Sequence, residues 1–106
     1  MREVGEENAT LRLRVGHLLR VSGYLEIAIL SMWTGSPRTD LTIGMVEASL
    51  RGEGTDGNDE VLLERLRALV EEARAYHAGS DFPAAMARMR VAQDLLDLRI
   101  VTLAEG

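Results

Sequence analysis

The chain has 106 residues, 46% of them apolar and 27% charged, with no cysteine and a net charge of −5. That is the size of one globular domain able to bury most of its apolar surface, and the composition excludes collagen-like, low-complexity and disulfide-stapled classes. Without cysteine there is no disulfide, thiolate nucleophile, iron–sulfur cluster or cysteine-ligated zinc, and a reducing cytoplasm is the expected location.

Helix-breaking residues divide the chain into four predicted helices. The first runs from about residue 6 to Trp33 and stops at Gly35-Ser36-Pro37, where proline and the residue before it both disfavour helix. The second covers about 40–51, with Thr39 or Asp40 as its cap, and ends at Gly52. A flexible acidic loop over 52–59 leads into a third helix over about 58–78, for which Asn58 is the expected cap and Asp59 and Glu60 complement the dipole. Gly79 ends that helix, and Ser80 or Asp81 caps a fourth over about 81–104, whose first turn tolerates Pro83. No strand-like alternation competes, so the expected class is all-α: a compact, four-helix bundle-like domain with three long helices and one short.

Helical periodicity says which faces are buried. In the third helix Leu62, Leu66, Leu69, Val70, Ala73 and Tyr76 form one apolar stripe, and Glu64, Arg67, Glu71 and Arg74 form a face read as solvated. The fourth helix has two stripes: Phe82, Ala85, Met89, Ala92, Leu96, Ile100 and Leu103 on one side, and Ala84, Ala87, Val91, Leu95 and Leu98 on the other. The first helix is apolar nearly all round from Tyr24 to Trp33, apart from Glu26 and Ser31. A lone bundle has little with which to cover second stripes, and burying a large apolar side chain is worth about 1.5–3 kcal/mol. The sequence therefore predicts a homodimer formed through the first and fourth helices.

All 12 basic residues are Arg, which reads as the codon bias of a GC-rich bacterial genome. Glu53, Asp56, Asp59, Glu60 and Glu64 lie together with no Arg among them, and the other 12 acids balance the 12 Arg. A neutral body with one acidic loop lacks the basic face of a nucleic-acid binder, so no nucleic-acid partner is expected. The longest uncharged run, 27–37, is far short of a membrane span, and the early glutamates argue against a secretory leader.

Candidate chemistry lies on the first helix. His17, Arg20 and Tyr24 fall within about 60° of one another, and Ser31 continues that line. Imidazole could exchange a proton near neutral pH, Arg20 could hold an anion, and the Tyr24 phenol could orient a carbonyl. Glu26 points to the other, apolar side beside Ser22, as either an intrusive acid or one half of an ion pair with Arg88 or Arg99. His17, Tyr24 and Glu26 are thus the candidate catalytic residues, and Arg20 and Ser31 the candidate ligand-binding ones. No metal and no cofactor is expected, because neither His17 nor His77 has a second ligand at metal-binding spacing.

Three segments resemble known motifs. Leu69, Ala73, Tyr76, Phe82, Ala85, Met89 and Ala92 fall at the spacings of a tetratricopeptide helical hairpin, which implies a tight antiparallel pair; Glu72, Asp97 and the lack of a second copy depart from that repeat. Trp33-Thr34-Gly35 has the form of the WXG motif of small secreted helical hairpins, but Ser36-Pro37 and a short helix intervene where that family joins two long helices directly. The run Asp56 to Glu60 is similar to the start of a helix-flanked calcium loop, yet Val61 and Arg67 stand where that motif needs glycine and glutamate.

The functional expectation is a small cytoplasmic helical interaction or regulatory protein acting as a homodimer. The alternative is a cofactor-independent helical-bundle enzyme, or a small-molecule-binding accessory protein of a metabolic pathway, with an acid–base pocket on the first helix.

Overall fold

The protein is built from α1 (Arg2–Thr34), α2 (Thr39–Arg51), α3 (Glu60–Ala78) and α4 (Phe82–Glu105). It is a computed structural model that describes residues 2–51 and 59–105, with side chains from residue 9 onward in the first of these segments. No strand occurs among the described residues, and none of the helices is long and apolar enough to cross a membrane.

The two described turns between helices differ in their chemistry. α1 ends in a left-handed cap: Gly35 has φ +68°, its N–H donates to the Met32 carbonyl, and the Ser36 N–H donates to the Ser31 carbonyl. A Cβ is disfavoured at that φ, which is why glycine stands there. The Thr42 N–H reaches back to the Arg38 carbonyl, which makes Arg38, rather than Thr39 or Asp40, the cap of α2. At the end of α3 the same double bond recurs, Ser80 to His77 and Asp81 to Tyr76, but the left-handed residue is Ser80 at φ +63°. Gly79, at φ −86°, needs no glycine. Asp81 caps α4 through its carboxylate, which accepts the Ala84 N–H at 3.2 Å.

α1 packs on α2 and α4, and α3 on the same two helices. Each pairing is antiparallel: Ser22 meets Gln93 while Arg14 and Arg99 meet over Asp59, and Glu47 meets Arg74 while Leu50 meets Arg67. The shared core takes Leu18, Val21, Leu25 and Ala28 from α1, Ile43, Val46 and Leu50 from α2, Leu62, Leu63, Leu66, Val70 and Ala73 from α3, and Met89, Ala92 and Leu96 from α4. The alanines on α3 and α4 let these two helices approach closely over a short connection. The molecule is elongated, 54 × 20 × 19 Å, because α1 alone is 33 residues long.

Two polar stretches are used differently from the sequence reading. Arg67 and Arg74 do not form a solvated face. Arg67 donates from Nε and Nη2 to the Leu50 carbonyl at 3.2 and 2.8 Å, and Arg74 grips Glu47 at 3.2 and 2.6 Å, so both serve the α2–α3 contact. Asp59, expected in a solvated loop, is fully buried, while residues 52–58 lie outside the described part of the chain.

Candidate functional site

The residues singled out on α1 lie in different surroundings. His17 is buried, and its Nε2 lies 3.0 Å from the Ser49 carbonyl in the last turn of α2. Carbonyls at a helix C-terminus have no intrahelical partner, so His17 and Arg67 satisfy two of them, Ser49 and Leu50, from opposite sides. With Ser49 as acceptor, Nε2 carries the proton, and Nδ1 is left buried without a partner. Tyr24 packs half-buried against the core, Ser31 is half-buried, and Arg20 is exposed.

Glu26 corrects the sequence reading. It is exposed, because that side of α1 faces outward. The two arginines proposed as its partners are engaged elsewhere: Arg88 pairs with Glu72 at 3.9 Å and lies over the Tyr76 ring, and Arg99 reaches Asp59 at 3.3 Å.

The strongest buried electrostatic feature was not legible as such. Arg14 donates from Nε and Nη2 to the two oxygens of Asp59 at 3.1 and 2.9 Å, a fork-on-fork pair, and Arg99 adds a third contact. Asp59 is the first residue before α3 but makes no side-chain cap. Arg14 and His17 sit one turn apart on α1, so a single turn holds the end of α2 through Ser49 and the start of α3 through Asp59.

A hollow opens at the opposite end of the molecule. It is a groove of about 1000 Å³ lined by Met32 and Trp33 in the last turn of α1, Ser36 just after it, His77 at the end of α3, and Phe82 and Met86 at the start of α4, with Asp40 on its rim. None of His17, Arg20, Tyr24, Glu26 and Ser31 lines it. His77 packs against Phe82 with ring centroids 5.3 Å apart and the planes tilted by 59°, and its Nδ1 is 3.7 Å from the Asp40 carboxylate. The sequence signal for this groove was the placement of bulky apolar residues beside helix breakers: Trp33 before Gly35-Ser36-Pro37, and Phe82 after Gly79-Ser80.

Arg74 governs the charge next to the groove. Its guanidinium is held above the ordinary arginine value, chiefly by its hydrogen bond to Glu47, against the opposing effect of burial and with further help from the charges of Glu47 and Asp40. The nearest Arg74 nitrogen is 4.0 Å from the Asp40 carboxylate, against 2.6 Å to Glu47. Arg74 therefore pairs closely with Glu47 and reaches the carboxylate of Asp40, which is 75% exposed, only at long range.

The outward face of α1 is the other unusual surface. Leu19, Ile27, Leu30 and Trp33 are exposed along it, Leu30 at 61% and Trp33 at 73%. A Cβ built on Gly23, in the same line, would touch nothing. On α4, Val91, Leu98 and Val101 are exposed as well, whereas Leu95 packs partly against the core. The chain matches no family profile, no curated protein and no solved structure.

Proposed function

We propose that this chain is a cytoplasmic helical interaction protein, a four-helix bundle that works as a homodimer through the outward faces of α1 and α4. The observation that carries this reading is the line of Leu19, Ile27, Leu30 and Trp33 standing in solvent over four turns of α1. Isolated exposed apolar residues are ordinary, but several large ones on one side of a helix mark an interaction surface, here with the exposed Glu26 among them. A second copy laid along that row would remove several large side chains from water, each worth about 1.5–3 kcal/mol when fully covered. Gly23 offers a notch in the row where a partner helix can approach. Acid–base chemistry on α1 has less in its favour, since His17 is committed to the end of α2 and Arg20 and Glu26 stand in solvent.

Light scattering coupled to size exclusion tests this reading directly. The expected mass at micromolar concentration is twice that of the chain. Leu30→Arg and Ile27→Arg, which leave the core untouched, are expected to return the monomer while keeping the helical circular-dichroism spectrum. A wild-type protein that stays monomeric at that concentration would overturn the proposal.

A further inference from the structure

We infer that the end groove binds a small organic cation with an apolar or aromatic body, such as an arylalkyl amine or quaternary ammonium. The groove's volume, about 1000 Å³, is that of a small-molecule site, and its walls supply an apolar surface from Met32, Met86, Trp33 and Phe82. The sign of the ligand follows from the charges around it. Arg74 is drawn onto Glu47 by two hydrogen bonds, so the carboxylate of Asp40 keeps only long contacts, 4.0 Å to Arg74 and 3.7 Å to His77. A cation entering the groove meets that carboxylate on the rim and two exposed aromatic side chains, whose ring faces attract positive charge. An anion meets the same carboxylate and is repelled, and a neutral ligand of the same shape gains the apolar contacts alone.

The chain has a single tryptophan, and it lines the groove, so its emission reports occupancy. Three probes of matched shape are titrated at fixed protein concentration: phenethylamine, phenethyl alcohol and phenylacetate. The expected result is a saturable change in Trp33 emission with the amine, at least about fivefold tighter than with the alcohol and weakening as salt is added. Asp40→Asn is expected to bring amine and alcohol to equal affinity, and Phe82→Leu to weaken the amine severalfold while leaving the circular-dichroism spectrum unchanged. Equal binding of amine and alcohol by the wild type, binding of phenylacetate as tight as that of the amine, or no response to the amine at millimolar concentration would each overturn the inference. So would an amine preference that survives Asp40→Asn in a folded protein. Trp33 also stands in the α1 row proposed for the dimer, so the titrations are repeated with Leu30→Arg, in which the amine preference is expected to persist; this separates binding at the groove from the association state tested above.

Discussion

Arg14 and Asp59, 45 residues apart in sequence, form the most enclosed ion pair among the described residues, with both carboxylate oxygens engaged and the aspartate wholly out of solvent. Removing one member of a buried pair leaves the other as an uncompensated charge, which costs about 3–5 kcal/mol. Arg14 and Arg99 both retain some exposure, which places the effect at the lower end. Asp59→Ala is expected to lower the urea-unfolding free energy by about 3 kcal/mol, and Asp59→Asn by less because the amide oxygen still accepts a hydrogen bond. A loss well below 1 kcal/mol for the alanine variant would show that the pair is solvated in solution.

His17 has a structural assignment with its own measurable consequence. Truncation to alanine strips the Ser49 carbonyl of its side-chain donor and opens a cavity between α1 and α2, for an expected cost of about 1–3 kcal/mol. His17→Gln keeps a donor on a side chain of similar reach and is expected to recover part of that loss. Chemical denaturation of the two variants beside the wild type decides it.

The turn after α3 is imperfectly optimised, and single substitutions there should stabilise the protein. Gly79 has an ordinary negative φ, and an added Cβ would meet the Ala75 and Tyr76 carbonyl oxygens at 3.7 Å, so Gly79→Ala is expected to gain about 0.4–1 kcal/mol by restricting the unfolded chain. Ser80→Gly is expected to relieve the left-handed backbone at the next residue. Gly35→Ala, at φ +68°, is expected to lose about 1 kcal/mol. Melting temperatures of the three variants should therefore move in two directions.

Arg74 predicts a pH behaviour. A basic group whose folded-state value is raised contributes stability that is complete below its unfolded value and fades only as pH climbs through the folded one. The Arg74–Glu47 contribution is therefore expected to stay constant from neutral pH to about 10, far below the range in which arginine loses its proton. Arg74→Met is expected to lower stability by no more than about 1 kcal/mol, since both groups are partly exposed. The gap between wild type and variant, measured by denaturation at several pH values, should not change across that interval.

Local periodicity carried the helices and most of the core. Leu62, Leu66, Val70 and Ala73 are buried as their spacing requires, and Met89, Ala92 and Leu96 as theirs does. Likewise, the exposure of Ile27, Leu30, Val91 and Leu98 follows from helices with more apolar circumference than their neighbours can cover. What periodicity cannot supply is the identity of the facing helix. It gave no sign that His17 reaches the end of α2. Asp59 looked like a solvated acid because its partners, Arg14 and Arg99, come from the far ends of the sequence. The groove was hidden for the same reason, since it is assembled from the ends of all the helices rather than from one of them.

The single turn of α1 that carries Arg14 and His17 anchors both stems of the connection between α2 and α3. Arg14 and His17 thus fix the spacing of α2 and α3 from the side of α1. A chain divided between Arg51 and Asp59 is therefore expected to leave two fragments that co-migrate under native conditions, and to lose that association when Arg14 and His17 are both replaced by alanine.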